Sequence, residues 1–390
     1  MTQKESLHQL ISKIATKQNY ENPEIIINET SSGGANYTSK LYTVVVKGEN
    51  KDDLHLYAKI AAFGEEFRKE MPVDIYGVEQ FAYAHLLKKY ASLEEEHNVP
   101  QEHRLYFSKC YGVDACKNQE ILVLENLVAQ GYGPHDRFNT YDWNYASAAV
   151  SDLAKMHALS MAFHKQYPEE FEKTMGVFKI DWQKMEESEN IDQMVEKMKN
   201  IALKNVNPEY KGKLEKVTED MKHPFTMYAA VRGTAIVHGD YRGSNLLHRV
   251  REDGKVEIKI LDLQTMQKGS PVADLVYFII TGSDEKFRAQ YYEKLIDHYY
   301  TELNAAMKRL NLDPEETYSR EDFEYELKEK LPYGLSLAVF ILPVVTVDTE
   351  NAPDVSEITE VEQFVVEKTS SLYTERINGI VNDYVKWGIL

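Results

Sequence analysis

Two neighbouring stretches decide the fold: Ile236–His248, which reads IVHGDYRGSNLLH, and Lys255–Gln264, which reads KVEIKILDLQ. Asp253 and Gly254 lie between them. An Asp-Gly pair flanked by extended, alternating segments predicts a β-hairpin with a two-residue turn. With that turn, Asn245 and Asp262 become direct cross-strand partners, with Cβ atoms about 4.5–5.5 Å apart on one face.

An amide oxygen and a carboxylate that converge in this way suit a hard cation. Mg²⁺ prefers oxygen ligands and keeps water and phosphate oxygens for the rest of its coordination sphere. Asp240 precedes Asn245 in the loop that enters the hairpin and would add a second carboxylate at the mouth of the site. The prediction depends on the register, because a slip of one residue puts the two side chains on opposite faces.

Other interpretations of the same residues stay open at this point. An Asp in a turn and an Asn at the start of a strand are common turn formers and caps. His238 and His248 fit structural histidines, and a His-x-Asp pair also hints at a metallohydrolase. A zinc site is disfavoured, because no set of His, Cys and Glu at ligand spacing accompanies the motif.

Outward from the motif, the chain divides into two parts of different character. The segments before residue 128 that have strand or helix patterns are Leu41–Lys47, Leu54–Ile60, Tyr106–Tyr111 and Glu120–Leu127 as strands, and residues 1–20 and Asp74–Tyr90 as helices. The later helical patterns are Tyr141–Gln166, Met185–Lys222, Phe287–Leu310, Phe323–Leu331 and Val361–Trp387. We therefore expect an α+β fold with a small antiparallel-sheet lobe, 1–127, and a larger helical lobe, 128–390, with a ligand-binding cleft between them.

Composition narrows the classes of function. The chain has 390 residues and a formal net charge of −18, which repels nucleic-acid backbones and anionic lipid surfaces. Cys110 and Cys116 are too few for a disulfide scaffold, so we expect a reduced, cytoplasmic protein. The longest apolar stretch, Gly334–Val347, is too short and too broken to span a bilayer and predicts a buried helix that ends near Pro343. Neither a membrane association nor an obligate protein partner is expected.

Together these stretches resemble a known family. They are Leu122–Leu127, Leu153–Ser160, His238–Asp240, Leu261–Gln264 and Gly269–Leu275. The chain looks like the protein-kinase-like fold in the small-molecule branch shared with choline kinases and aminoglycoside phosphotransferases. Within that branch it closely resembles the ecdysteroid kinase-like family of insects, which carries a CHK-type kinase-like domain. The resemblance covers roughly residues 25–390.

The resemblance implies a role for five residues. Asp240, in a catalytic loop at 238–245, would accept the proton of the substrate hydroxyl. Asn245 and Asp262, the latter in a metal-binding segment at 262–264, would hold Mg²⁺. Lys59 would pair with the α- and β-phosphates of ATP, and Glu79 on the long helix would hold that lysine.

The resemblance also implies how the nucleotide would be covered and recognised. Ser32, Gly33, Gly34, Ala35 and Asn36 would cover its phosphates with backbone N–H groups. The residues of the hinge, which would recognise adenine through their backbone, are Glu125, Asn126 and Leu127.

Some residues depart from the protein-kinase pattern or have a structural interpretation. Gly239 stands where protein kinases carry Arg, Asp262-Leu263-Gln264 replaces Asp-Phe-Gly, and no Ala-Pro-Glu element follows, so we expect neither an activation loop nor a protein substrate. Asp274 is expected to bond backbone around the catalytic loop rather than to ligate a metal. His157 is expected in the core, and His238 is expected to support the loop.

The acceptor is the least determined part of the prediction. An apolar, aromatic stretch could wall a pocket or belong to ordinary core, and it comprises Tyr333, Leu335, Leu337, Phe340 and Leu342. The family favours a lipophilic alcohol such as an ecdysteroid, a related steroid or a xenobiotic. The sequence therefore predicts an ATP- and Mg²⁺-dependent small-molecule O-kinase. The alternatives are a non-catalytic hormone- or ligand-binding protein with the same fold, and a kinase of the choline or aminoglycoside type.

Overall fold

The structure is a computed structural model with two lobes. It describes residues 2–30, 38–71, 73–180, 189–219, 228–352 and 365–390. A five-stranded antiparallel sheet forms the first lobe, and helices around two small sheets form the second. The predicted α+β, two-lobed fold class is confirmed. The predicted lobe boundary after Leu127 stays a prediction.

The sheet of the first lobe has the strand order β1-β2-β3-β5-β4. Its strands are β1 (Glu24–Thr30), β2 (Ser39–Gly48), β3 (Lys51–Ala61), β4 (Cys110–Asp114) and β5 (Ile121–Glu125). Helix α1 (Gln3–Lys17) contributes Leu7, Ile11 and Ile14 to the buried cluster on one face of the sheet.

Strand β3 sorts its side chains between the two faces of the sheet. Leu56, Ala58 and Ile60 are buried in the cluster that α1 covers. Because successive side chains of a strand point to opposite faces, Tyr57 and Lys59 face the other way. This alternation directs Lys59 toward the second lobe.

The long helix that the sequence predicted at Asp74–Tyr90 is present and extends further. It consists of α3 (Ile75–Phe81), a π-helical turn (Ala82–Leu86) and α4 (Leu87–Glu96), and it follows the short helix α2 (Glu65–Glu70). Asp74 caps α3 by accepting a hydrogen bond of 3.1 Å from the Gly77 N–H. Tyr90 and Leu93 in α4 are buried in the core of the second lobe, so this helix joins the two lobes.

The second lobe is built around helices of 4 to 25 residues. They are α5 (Trp143–Gln166), α6 (Pro168–Val177), α7 (Glu189–Asn205), α8 (Lys211–Glu219), α9 (Pro271–Gly282), α10 (Glu285–Arg309), α11 (Pro314–Thr317), α12 (Arg320–Phe340), α13 (Leu342–Thr346) and α14 (Ser371–Lys386). Helix α9 is buried from Pro271 to Thr281 and lies at the centre of the lobe. In the described part of the chain, no helix combines the length and the apolarity that a membrane-crossing segment needs.

Two small sheets carry the motif at residues 236–264. Their strands are β6 (Gly133–Pro134), β7 (Ala235–Val237), β8 (Leu246–Val250), β9 (Val256–Ile260) and β10 (Gln267–Gly269). β10 pairs with β7, and the other three strands have the order β6-β8-β9. The catalytic-loop candidate thus leaves the centre of the lobe through β7 and enters the hairpin β8–β9.

Several predicted boundaries differ from the observed ones. The strand predicted at Tyr106–Tyr111 begins only at Cys110, and directly before it the backbone N–H of Lys109 bonds to the side chain of Glu125 at 3.3 Å instead of to the backbone of a neighbouring strand. The helix predicted at Phe323–Leu331 continues through Pro332 to Phe340, where a second helix begins after Ile341. Pro343 lies in the first turn of α13, a position that suits proline, rather than at the end of a helix.

Glu94 is a buried carboxyl group in α4 that accepts a hydrogen bond of 2.8 Å from the Leu105 N–H. Burial raises its pKa from 4.5 to about 7. The folded state therefore favours the protonated form, so this group reduces stability as the pH rises from about 4.5 to about 7. Glu94→Gln should remove this loss and stabilise the protein by roughly 1–3 kcal/mol at pH 8, with little effect at pH 4.5.

Urea unfolding of the wild type and the variant at both pH values measures this difference. Glu95→Gln, at an exposed position of the same helix, is the matched control. A Glu94→Gln variant that is equally stabilised, or destabilised, at both pH values would contradict the assignment.

Candidate active site

The loop that carries Asp240 is held at its backbone by Asp274 from α9. The N–H groups of His238 and Gly239 donate to the two oxygens of this carboxylate, at 2.6 and 2.9 Å. His157 from α5 also contacts Asp274, at 3.1 Å between Nε2 and Oδ2, and all three side chains, His157, His238 and Asp274, are fully buried. The expected structural role of Asp274 and the core position of His157 agree with these contacts.

His238 and Gly239 fix the conformation of the loop. His238 Nε2 donates to the carbonyl oxygen of Leu261 at 2.8 Å, and its Nδ1 accepts the Asp240 N–H at 3.2 Å. Gly239 has a φ of 83°, and a Cβ at this position would lie 2.3 Å from the Thr265 carbonyl oxygen. Only glycine fits such a left-handed and crowded position, which explains why Arg is absent here.

The carboxylate of Asp240 accepts hydrogen bonds from three side chains. Tyr277 Oη and Arg242 Nε donate to Oδ1, at 2.6 and 2.9 Å. Asn245 Nδ2 donates to Oδ2 at 2.8 Å. A carboxylate has about four acceptor positions, so Oδ2 keeps one position for a further donor.

The hairpin register that the sequence analysis predicted is wrong by one residue. Leu246 pairs with Ile260 and Val250 with Val256, because the turn is a three-residue loop that ends in Gly254 with a φ of 80°. A type I turn followed by a left-handed glycine is the common three-residue alternative to the two-residue turn. Asn245 and Asp262 are therefore not cross-strand partners.

Asn245 and Asp262 nevertheless line the same cavity, because of the backbone conformations at the two ends of the hairpin. Asn245 ends a 3₁₀ turn just before β8, and Asp262 leaves β9 in the left-handed conformation, with φ 62° and ψ 63°. Among non-glycine residues, Asp is one of the few that visit this conformation. Such strained positions concentrate at functional sites.

Lys59 joins the sheet lobe to the Asp262 segment. Its ammonium group lies 2.8 Å from Glu79 Oε1 and 2.8 Å from Asp262 Oδ1. Burial would lower the pKa of Lys59, but the two carboxylates outweigh this effect and raise it. Burial would likewise raise the pKa of Asp262, but the Lys59 charge holds it below its ordinary value. Both groups are therefore ionised at neutral pH.

Gln264 completes this junction, although the sequence analysis gave it no role. Its Nε2 donates to Glu79 Oε2 at 3.3 Å, and its Oε1 accepts from the Thr38 hydroxyl at 2.7 Å. Gln264 is buried. It thereby links the segment 262–264 both to α3 and to the start of β2.

A cavity of about 310 Å³, here called the inter-lobe cavity, is lined by all the predicted nucleotide- and metal-binding residues that the structure describes. Lys59, Glu79, Asn245 and Asp262 line it, together with the predicted hinge residues Glu125, Asn126 and Leu127. Asn126 uses its N–H on the His55 carbonyl oxygen, and among the described residues the Leu127 N–H has no hydrogen-bond partner. The predicted covering residues Ser32, Gly33, Gly34, Ala35 and Asn36 lie outside the described residues.

A second cavity, of about 220 Å³ and here called the apolar cavity, begins at Asp240. Its lining comprises Tyr228, Gly239, Asp240, Arg242, Thr265, Tyr277, Tyr333, Ser336, Leu337, Phe340, Ile341, Val344 and Val345. Of the predicted wall residues, Tyr333, Leu337 and Phe340 line it, whereas Leu335 and Leu342 are buried in the core. A larger cavity, of about 550 Å³ beside α2 and α3, contains none of the predicted site residues.

The residues that surround Asp240 include two that the sequence analysis missed. Arg242 lies two positions after Asp240 within the quoted motif, so the motif itself was the available signal. Tyr277 lies three positions after Asp274 in α9 and therefore on the same face of the helix. One helix face thus holds both the backbone of the loop and the Asp240 side chain.

The donor set fits a magnesium ion better than a transition metal. Asn245 directs its amide N–H groups at the Asp240 carbonyl and carboxylate oxygens, which leaves its own Oδ1 as a ligand oxygen. Asp262 supplies a carboxylate in the same cavity. Within the described ranges, no group of three His, Cys, Asp or Glu side chains is arranged to hold a metal. An ion bound here would take its remaining ligands from water or phosphate, as Mg²⁺ does.

Comparisons with solved structures found distant likenesses. The GDP complex of wild-type aminoglycoside 2'-phosphotransferase-IIIa is similar with a TM-score of 0.41 and 11% identity, covering 85% of this chain and 98% of that chain. A GDP and kanamycin complex of APH(2″)-IIIa has a TM-score of 0.38 and 10% identity, covering 84% and 98%. No curated protein matched the chain.

The family assignment comes from the sequence match. The profile of the ecdysteroid kinase-like family matches residues 33–312, which is more than half of the chain. The fold is that of a kinase-like protein. The chain belongs to the ecdysteroid kinase-like family, and the resemblance drawn from the motifs is confirmed.

Asp274→Asn tests the dependence of the loop on this carboxylate. The substitution turns one acceptor oxygen into an N–H donor that faces another N–H donor, in a site without water access. We expect a loss of about 2–4 kcal/mol of unfolding free energy, measured by urea unfolding. Asp253→Asn, in the exposed hairpin loop, is the control. Equal stability of the two variants would show that Asp274 does not hold the loop.

Proposed function

We propose that the protein is an ATP- and Mg²⁺-dependent kinase that transfers the γ-phosphate of ATP to a hydroxyl group of a lipophilic alcohol. One observation carries the proposal: Asp240 lies at the apolar cavity, while Lys59, Asn245 and Asp262 line the adjoining inter-lobe cavity. A hydrogen bond between Asn245 and Asp240 connects the two groups. Phosphoryl transfer requires this adjacency of a proton acceptor and a phosphate-binding site.

The proposed roles of the residues follow from their charges and from the hydrogen-bonding positions that they leave unused. The acceptor hydroxyl would donate its proton to the open position on Asp240 Oδ2 while its oxygen attacks the γ-phosphorus. The bond from that phosphorus to the β-phosphate oxygen breaks, and ADP leaves. Lys59, held by Glu79, would pair with the α- and β-phosphates. Mg²⁺ bound by Asn245 and Asp262 would neutralise charge on the phosphates.

The hinge would recognise the adenine through its backbone. Among the described residues the Leu127 N–H has no partner, and the Glu125 carbonyl oxygen accepts one hydrogen bond, from the Ser108 hydroxyl at 3.2 Å, which leaves it a second acceptor position. The residue between them already uses its own N–H in the sheet. This spacing presents one donor and one acceptor to the edge of a base. Ser32–Asn36 would cover the phosphates.

The acceptor class follows from the lining of the apolar cavity. Most of its residues are aromatic or aliphatic. Its only charged lining residues among those described are Asp240 and Arg242, which pair with each other. Without an unpaired carboxylate, the cavity favours an uncharged molecule such as an ecdysteroid, a related steroid or a xenobiotic alcohol, over an aminoglycoside or choline.

A non-catalytic ligand-binding protein is the second candidate. It would use the apolar cavity in the same way and would not turn over ATP. The presence of Lys59, Asp240, Asn245 and Asp262 together disfavours it, because a protein without catalysis has no need of all four.

A phosphoryl-transfer screen separates these candidates. We expect phosphorylated product, detected by mass spectrometry, from ecdysteroids or other lipophilic alcohols with ATP and Mg²⁺, and none from choline or kanamycin. Asp240→Asn should lower turnover about 10²–10⁴-fold with little change in nucleotide affinity, and Asp253→Asn should not. Binding of a steroid without turnover would support the second candidate, and a fully active Asp240→Asn variant would remove Asp240 from its role.

Asp262→Ala tests the metal assignment independently of the acceptor. The variant loses the only carboxylate proposed to ligate Mg²⁺, so the extra thermal stability that Mg–ATP gives the wild type should disappear. Thermal unfolding with ATP, with and without Mg²⁺, measures this effect, and Asp253→Ala is the control. If Asp262→Ala is stabilised by Mg–ATP as much as the wild type, Asp262 is not a ligand.

A further inference from the structure

Arg242 is a cation whose N–H donors are mostly unused. Its side chain is only 11% exposed, and its Nε donates to Asp240 Oδ1 at 2.9 Å. A guanidinium group has five N–H donors. Across the described part of the chain, no hydrogen bond is made by its terminal nitrogens, Nη1 and Nη2.

The surroundings of Arg242 make this arrangement costly unless a ligand completes it. The neighbouring lining of the apolar cavity is largely aromatic and aliphatic and offers few acceptors. Arg242 lines the apolar cavity. Its terminal nitrogens are not among the fully buried atoms that lack a hydrogen-bond partner, so they are accessible from the cavity. A largely buried charge with unused donors normally marks a place where an anion or water binds.

The position of Arg242 between two carboxylates limits which anion this can be. Asp240 and Asp262 both interact electrostatically with the guanidinium group. Burial would lower the pKa of Arg242, but Asp240 and Tyr277 outweigh this effect, and the pKa is raised. The group therefore stays charged beside both the proton acceptor and the proposed metal ligand. A phosphoryl group that moves from the inter-lobe cavity to a hydroxyl at Asp240 would arrive beside this guanidinium group, which is bonded to the same carboxylate.

We propose that the terminal N–H groups of Arg242 bind the phosphoryl group during its transfer, which makes Arg242 a catalytic residue. The proposal rests on the proposed kinase function. The hydroxyl oxygen forms a bond to the γ-phosphorus, the bond to the β-phosphate oxygen breaks, and the hydroxyl proton moves to Asp240. Arg242 exchanges no proton in this step. It stabilises the charge on the equatorial oxygens, which is where charge resides in such transfers.

Arg242 could instead act only by orienting Asp240, and Tyr277 makes the two roles distinguishable. Both side chains donate to the same oxygen, Asp240 Oδ1. Tyr277, however, has no further donor to offer to a phosphoryl group. Loss of the Tyr277 hydroxyl therefore removes orientation alone, whereas loss of the Arg242 side chain removes orientation and charge.

The experiment compares steady-state kinetics of the wild type, Arg242→Ala, Arg242→Lys and Tyr277→Phe on the best acceptor of the screen. Arg242→Ala should lower kcat about 10²–10³-fold and leave the KM for Mg–ATP within about threefold. Arg242→Lys should retain part of the activity, since it keeps the charge and loses the fork of donors. Tyr277→Phe should lose only about threefold to tenfold.

Chemical rescue tests for the missing charge itself, because added guanidinium would not restore activity if Arg242 only oriented Asp240. Added guanidinium, at concentrations far below those that unfold the protein, should restore at least about tenfold of the activity of Arg242→Ala and none of that of Tyr277→Phe. Arg251→Ala, in the exposed hairpin loop, is the control for the loss of an arginine. Thermal unfolding of each variant checks that it is folded.

The outcomes separate this inference from the proposed function. An active wild type with an Arg242→Ala variant that keeps its kcat, or that guanidinium does not rescue, would overturn the role of Arg242 and leave the kinase assignment intact. A wild type that transfers no phosphate to any acceptor would remove both.

Discussion

The ion pairs of Lys59 are the interaction on which the site depends. A single ammonium group contacts α3 through Glu79 and the segment after β9 through Asp262, both at 2.8 Å. Glu79 is almost fully buried and Lys59 nearly so. Removal of one partner from such a buried pair costs about 3–5 kcal/mol, because the remaining charge is left uncompensated. The relative position of the sheet, the long helix and the Asp262 segment is therefore fixed electrostatically.

The catalytic-loop candidate is held by a different interaction, the hydrogen bonding of its backbone. Asp274 takes the N–H groups of His238 and Gly239 from inside the helical core, and Tyr228 donates to the Gly239 carbonyl oxygen at 2.7 Å. In a buried site each of these groups would be costly to leave unpaired. These buried hydrogen bonds therefore anchor the loop that presents Asp240 to the helical core.

The sequence predicted the parts of the molecule that depend on local chemistry. The lobes, the long helix and the motif residues follow from periodicity and from the family motifs. The hairpin register could not be predicted in this way, because an Asp-Gly pair fits both a two-residue turn and the observed three-residue loop. Gln264 and Tyr277 were missed because their contacts join distant segments, with Glu79 and Asp240 respectively. Arg242 contacts Asp240 two positions earlier, so the motif itself already contained that signal. Tyr333, Leu337 and Phe340 share one face of α12 and line the apolar cavity, and Leu335 lies on another face, so helical spacing could have separated them.

The charges of the two cavities bear on the proposed binding of a polyanionic nucleotide by a protein with a net charge of −18. Lys59 and Arg242 are two cations among three carboxylates, those of Glu79, Asp240 and Asp262. Because the carboxylates outnumber the cations, the two cavities have no net positive charge to offset a triphosphate, even though Arg242 keeps unused N–H donors. A divalent ion between Asn245, Asp262 and the phosphates resolves this conflict, because it compensates Asp262 and frees the Lys59 ammonium for the nucleotide. The local charge balance thus supports the dependence on Mg²⁺ by an argument separate from the ligand geometry.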